Sequence, residues 1–138
     1  MVVTVLLVDA ANVVGARPDG WWRDRAGATE RLLGRLAALP GRTVPVPGGA
    51  DVTVAGVVAV VEGQARAAAA PDGVRVVRAP GSGDDALAAT AAELAAGGEP
   101  LLVVTADRGL RAQLPAGVPV TGPGWLLDLL EHGSGDGG

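Results

Sequence analysis

The clearest pattern in the chain is an aliphatic run without polar alternation that ends at a carboxylate. Every residue from Val2 to Val8 except Thr4 is aliphatic, and Asp9 follows directly. A short, continuous apolar run rich in β-branched residues is typical of a strand buried on both faces, as in the centre of a parallel sheet. Ligands of open α/β sheets bind outside the carboxyl ends of the strands. Asp9 is therefore predicted to lie where such folds carry out their chemistry.

Strands and helices alternate along the rest of the chain. The segment 13–20 is predicted to be a loop, because its Pro-Asp-Gly is a turn signal, and 43–50 is predicted to be a loop or an edge segment. The patterns predict further strands at 54–61, 74–79, 101–105 and 118–120. They predict helices at 23–39, 64–70, 86–96 and 125–131, and a short helix after the fourth strand that ends at Leu114. This alternation predicts right-handed crossovers and an α/β fold whose parallel sheet is covered on both faces.

The composition narrows the class of protein. The 138 residues are expected to form one domain, 1–132, followed by a flexible Gly/Ser/Asp tail, 133–138. The absence of cysteine excludes disulfides, thiolate zinc sites and cysteine nucleophiles. We expect no signal peptide, no membrane span and a cytoplasmic location. The net charge of −4 argues against a generally basic nucleic-acid binder but leaves room for a local basic face.

Acidic residues follow several of the predicted strands. Asp9, Glu62 and Asp107 each come after the last residues of a strand, and Asp84 and Asp85 begin the helix after the third strand. Adjacent parallel strands lie about 4.8 Å apart, so these carboxylates can meet in one cleft. There they would raise each other's pKa unless they share a cation. Ligands that are all oxygen suit Mg²⁺ or Mn²⁺, which polarise phosphoryl groups and activate water, so hydrolysis of a phosphate ester or phosphoanhydride is the predicted chemistry.

These positions also resemble a known family. The resemblance is to NYN domains of the PIN-like nuclease superfamily, and it spans roughly residues 2–130. The matching stretches are Asp9-Ala10-Ala11-Asn12 after the first strand, Val60-Val61-Glu62-Gly63 at the end of the second, Gly83-Asp84-Asp85-Ala86-Leu87 at a helix start and Thr105-Ala106-Asp107 after the fourth strand.

The resemblance implies a PIN-like fold and a metal-dependent ribonuclease. The fold would be three-layer α/β/α with a mostly parallel central sheet of about five strands. Asp9, Asp107 and one of Asp84 and Asp85 would bind the metal, and Asn12 would orient a ligand or the phosphate. Glu62 stands where an aspartate is more usual, which leaves its reach to the metal open.

The same residues have simpler structural explanations. Aspartate and asparagine commonly cap helices or fix turns, which would suffice for Asp9, Asn12 and Asp107. Gly-Ser-Gly-Asp-Asp is an ordinary helix start, in which Ser82 or an acid serves as cap. Alternatively, the backbone N–H groups beside Ser82 could cradle a phosphate. A solvated strand end is the alternative for Glu62.

The predicted substrate contacts lie mainly between the first strand and the first long helix. Arg17, Arg23 and Arg25 could contact phosphates while Trp21 stacks on a base, as in proteins that hold single-stranded RNA. The alternative is a packed tryptophan and solvated arginines. Arg108 could reach a phosphate or pair with a neighbouring acid.

The sequence thus favours a divalent-metal-dependent ribonuclease that acts on single-stranded or structured RNA. One alternative is a nucleotide phosphohydrolase that releases pyrophosphate from nucleoside triphosphates in the same acidic cleft. The other is an RNA-binding or interaction module whose metal site is degenerate. A homo-oligomer or a protein partner is left open by the sequence.

Overall fold

The computed structural model of the chain describes residues 2–16 and 23–132. Its strands are β1 (Val2–Asp9), β2 (Thr43–Val44), β3 (Val52–Val61), β4 (Val74–Arg78), β5 (Leu101–Val104) and β6 (Val120–Thr121). Its helices are α1 (Ala10–Gly15), α2 (Arg25–Leu36), α3 (Gly83–Ala96), α4 (Arg108–Arg111) and α5 (Pro123–His132), with a 3-10 helix at Gly63–Ala67. None of the helices in these residues is long and apolar enough to cross a membrane. The predicted tail, 133–138, lies outside the described residues.

The sheet is built around β1, which pairs in parallel with β3 on one side and β5 on the other. Beyond them, β4 extends β3 and β6 extends β5, both in parallel. The two-residue β2 is antiparallel to the start of β3, whereas β4 pairs with its end, so both lie along one edge of β3. The sheet is therefore five strands wide and mostly parallel, which confirms the prediction.

Helices cover both faces of this sheet. Leu6 and Val8 of β1 pack into one core with α1, α2 and α5. Leu7, which points to the opposite face, packs into a second core with α3 and α4. Successive side chains of a strand alternate between faces, so a central strand with a core on each side is apolar throughout. The α/β arrangement with helices on both faces is confirmed.

Two helices that carry site residues, α1 and α3, have boundaries that differ from the prediction. The loop predicted from residue 13 is wrong over 13–15, because α1 runs from Ala10 to Gly15. Asp9 caps this helix, and burial of Val13 in the core offsets the weak helix propensity of valine. Helix α3 starts at Gly83, three residues earlier than predicted, and so places Asp84 and Asp85 in its first turn.

The strand order fixes where a ligand site is expected. The chain adds β3 and β4 on one side of β1 and then crosses over to add β5 and β6 on the other. The order of the strands therefore reverses next to β1. In open α/β sheets, the crevice at the carboxyl ends beside such a reversal is the usual binding site. In this chain, that crevice lies where β1 and β5 end.

Candidate active site

A buried threonine joins the ends of β1 and β5. Val8 and Val104 are register partners, which sets Asp9 beside Thr105. The Thr105 hydroxyl, fully buried, donates to Asp9 Oδ2 at 3.0 Å and accepts from the Asp107 N–H at 3.1 Å. The other oxygen of Asp9, Oδ1, accepts from the Asn12 N–H at 3.4 Å and caps α1. One hydroxyl thus orients Asp9 and fixes the turn that carries Asp107.

Asn12 makes a second link between the same two strand ends. Its Oδ1 accepts a hydrogen bond from the Ala106 N–H at 2.8 Å. This contact ties α1 to the turn after β5, 94 residues away along the chain. The structure therefore gives the side-chain carbonyl of Asn12 a positioning role, and its contact with a ligand or phosphate stays a prediction.

Two further acids meet where α3 and α4 begin. Asp84, in the first turn of α3, lies near Asp107, whose Oδ1 accepts from the Leu110 N–H at 3.1 Å and caps α4. Desolvation is the largest cause that raises the pKa of Asp84, followed by the charge of the neighbouring Asp107. Asp85 is exposed and is the weakest of the named contributors to that pKa shift. The structure therefore places Asp84, rather than Asp85, among the other acids.

Glu62 approaches the same point from the end of β3. Asp9 is paired with Val60, so Glu62 lies two residues, about 7 Å, farther along its strand. Its carboxylate reaches sideways and accepts a hydrogen bond from the N–H of Gly83, the first residue of α3. Glu62 is therefore held against the helix that carries Asp84.

The four acids are electrostatically coupled. Burial is the main cause that raises the pKa of Asp9; the hydrogen bonds from Thr105 and Asn12 oppose it, and the charges of Asp84 and Glu62 add to it. Glu62 also raises the pKa of Asp84. We refer to these four side chains as the acidic centre: Asp9, Glu62, Asp84 and Asp107.

The chemistry of the acidic centre fits a hard divalent cation, because every donor is a carboxylate oxygen. The neighbouring carboxylates of Asp84 and Asp107 repel each other, and a cation bound between them would relieve that repulsion. Within residues 2–16 and 23–132, however, no three acidic or histidine side chains stand close enough together to hold a metal as they are arranged. A metal site at the acidic centre therefore stays a prediction.

The other residues predicted to contact the substrate lie either outside the described residues or on the protein surface. Arg17 and Trp21 lie outside the described residues. Arg23 and Arg108 are exposed, and Ser82 caps α3 by accepting from the Asp84 N–H at 3.2 Å.

Arg25, at the start of α2, is the predicted cation that the structure brings near the acidic centre. It lines a groove of about 360 Å³ together with Glu62, and Ala11, Val14, Thr29, Gly63, Ala65 and Gly81 complete the lining. The groove thus runs between α1, the start of α2 and the residues that follow β3, and a substrate contact by Arg25 stays a prediction.

Three residues of the site were missed by sequence reasoning. Thr105 was not assigned a role, although a threonine two residues before the strand-end Asp107 is the available signal. Arg66 and Arg78 also lie at this edge of the sheet. No pattern in the sequence marks these two arginines out.

Comparisons with known proteins bear on the fold. No family model matches the chain, and no curated protein matches it. Among solved structures, the chain is similar to Rae1 (YacP) from Bacillus subtilis, with a TM-score of 0.65 and 19% sequence identity over 92% of this chain and 73% of that one. A point mutant of the same protein gives a TM-score of 0.63 at 19% identity, over 93% of this chain and 75% of that one. Likeness at this level of identity shows a shared fold over nearly the whole chain.

Proposed function

We propose that this protein is a divalent-metal-dependent ribonuclease that hydrolyses RNA phosphodiester bonds at the acidic centre. The observation that carries the proposal is the convergence of four acids from separate parts of the chain on the crevice where the strand order reverses. The motifs that resemble NYN domains fall on these residues, and the fold shared with Rae1 agrees with that resemblance.

The proposed need for a cation follows from charge. Carboxylates alone would repel a phosphodiester, and burial together with the charges of neighbouring acids raises the pKa of Asp9 and the pKa of Asp84. Mg²⁺ or Mn²⁺, when bound, would polarise the phosphoryl group and lower the pKa of water. Asp84 and Asp107 would hold the ion, with Asp9 and Glu62 supplying further negative charge.

The remaining residues would hold this arrangement in place. Thr105 keeps Asp9 oriented through a donated hydrogen bond, and Asn12 ties α1 to the turn after β5. Ser82 and Asp107 fix the starts of α3 and α4. Preorganised ligands need no reorganisation when charge develops in the transition state.

The test is cleavage of a 5′-labelled, unstructured RNA in Mn²⁺, followed by gel electrophoresis. We expect Asp9→Asn and Asp107→Asn to lower the rate at least a hundredfold, and EDTA to abolish it. Asp128→Asn is the matched control, since Asp128 is an exposed acid on α5. Equal activity in Asp9→Asn and the wild-type protein would show that a contaminating nuclease is responsible.

The same preparation should be offered nucleoside triphosphates. Release of pyrophosphate without RNA cleavage would favour the nucleotide phosphohydrolase. RNA association that EDTA does not change, without cleavage of either substrate, would favour the non-catalytic RNA-binding module.

A further inference from the structure

Two arginines lie at the same edge of the sheet as the acidic centre. Arg78 ends β4 and is paired with Val61, the residue before Glu62. Its Nη1 donates to the carbonyl oxygens of Arg66 and Ala68, the latter at 2.8 Å. Arg66 lies on the 3-10 helix, and its Nε donates to the Gly63 carbonyl at 3.3 Å. Both guanidinium groups are thus held in place by main-chain carbonyls.

These contacts leave the positive charge uncompensated. Carbonyl oxygens orient a guanidinium without neutralising it, and within residues 2–16 and 23–132 no carboxylate pairs with Arg66 or Arg78. Glu30, the acid that contacts this segment, instead accepts from the Ala69 N–H at 2.8 Å. A fixed, unneutralised guanidinium with further N–H donors is well suited to bind phosphate through two parallel hydrogen bonds.

The surface around the arginines continues into the groove beside Glu62. A shallow cleft is lined by Gly63, Gln64, Arg66, Ala67, Arg78 and Pro80. Gly63 also lines the groove that contains Glu62 and Arg25, so the two depressions adjoin. Strand β4 is two strands away from β1, about 10 Å at 4.8 Å per strand. That separation corresponds to a few nucleotides of an RNA strand.

From this arrangement we infer that Arg66 and Arg78 form a phosphate-binding subsite for RNA, which holds the strand a few nucleotides to one side of the scissile bond. The inference rests on the proposed function, because the acidic centre fixes where the strand starts. RNA is favoured over an acidic peptide as the occupant because the cleft adjoins the groove that contains Glu62 of the acidic centre, where the proposed function places an RNA strand. An RNA strand would follow the groove from the acidic centre, across the 3-10 helix, to the two arginines.

The experiment measures RNA binding by the full chain without added metal, so that no cleavage occurs. A fluorescein-labelled oligouridylate is titrated with protein between 50 and 200 mM salt, and affinity is read from anisotropy. We expect Arg66→Gln combined with Arg78→Gln to weaken binding about tenfold and to lower the slope of log affinity against log salt by about 1.4, since each phosphate contact to a single strand contributes about 0.7.

Arg75→Gln is the matched control. Arg75 is an exposed arginine on the same strand, but its side chain points to the opposite face from Arg78 because it lies three residues away. An equal loss in Arg75→Gln would overturn the subsite in favour of general charge attraction. Unchanged binding in the double variant would overturn it directly, as would equal displacement of RNA by polyglutamate.

The melting temperature of each variant is measured separately, because Arg78 also donates hydrogen bonds to the carbonyls of the 3-10 helix and the residue after it. Arg66→Gln alone removes one cation whose single side-chain hydrogen bond is exposed. If the double variant has a lower melting temperature than the wild-type protein, RNA binding by Arg66→Gln alone is the test of the subsite. The two proposals fail differently. Loss of binding in the variants without any Mn²⁺-dependent cleavage by the wild-type protein would keep the subsite and reject the nuclease. Normal cleavage with unchanged kcat/KM and salt dependence in the variants would reject the subsite alone.

Discussion

Thr105→Val tests the central link of the site. The valine keeps the shape of the side chain but removes a fully buried hydroxyl that donates to Asp9 and accepts from the Asp107 N–H. A hydrogen bond to a charged acceptor contributes about 1.5–3 kcal/mol, and a neutral one about 0.5–1.5 kcal/mol. The added buried methyl group offsets about 1 kcal/mol of this loss. We therefore expect the free energy of unfolding to fall by about 1–3 kcal/mol at pH 7.

The pH dependence separates this explanation from a simple packing defect. The Thr105 hydroxyl stabilises the ionised form of Asp9, so it lowers a pKa that burial raises. Without the hydroxyl, the pKa of Asp9 rises further, and the cost of the substitution grows as the pH rises through that pKa. The difference in free energy of unfolding between Thr105→Val and the wild-type protein should therefore be smaller at pH 4 than at pH 7.

The assay is urea denaturation of both proteins across that pH range, with the slope against urea checked for constancy. Thr105→Ser is the control, because it retains the hydroxyl and loses only a methyl group. The reasoning is refuted if Thr105→Ser is as destabilised as Thr105→Val, or if the loss in Thr105→Val is the same at pH 4 and pH 7.

Three further predictions concern the acids and their neighbours. Because the pKa of Asp84 is raised in the folded state, its contribution to stability is present in acid and is lost as the pH rises through that pKa. Asp84→Asn should therefore flatten the fall in melting temperature between pH 4 and pH 8. An unaltered profile would contradict this. A Cβ at Gly83 would lie 2.5 Å from Glu62 Oε2, so Gly83→Ala should displace the Glu62 side chain. We expect lower RNA cleavage with a small effect on melting temperature. Unchanged cleavage would count against a role for Glu62. Asn12→Ala should cost at most about 1.5 kcal/mol in urea, because water can reach the exposed Ala106, yet slow cleavage more than tenfold; wild-type rates would show that the link is dispensable.

The central strands and the edge that carries the site could be predicted from the sequence because their signals are local. The run from Val2 to Val8 specifies a strand with a core on each face, and an acid directly after such a strand must lie at its carboxyl end. Helix α1 could not be predicted in this way. Val13 and Val14 have weak helix propensity, and the burial that offsets it depends on the packing of α1 against α2 and α5.

The directions of the site side chains could not be predicted from the sequence either, because they also depend on tertiary packing. Which of Asp84 and Asp85 joins the acidic centre depends on where α3 begins and how it is rotated against the sheet. The hydrogen bond from Thr105 to Asp9 joins residues 96 positions apart. Such contacts depend on strand register, which no local pattern encodes.

Helix capping explains only part of the acidic centre. Asp9 and Asp107 each cap a short helix with one oxygen, and a structural role would end there. Ser82 already caps α3, so Asp84 is not needed for that purpose, yet it lies near Asp107 and adds to the repulsion within the group. Glu62 adds to that repulsion from β3. Because like charges brought together this way destabilise the fold at neutral pH, their proximity argues for a cationic ligand. Capping therefore leaves Asp84 unexplained, and the proposed cation would account for its position.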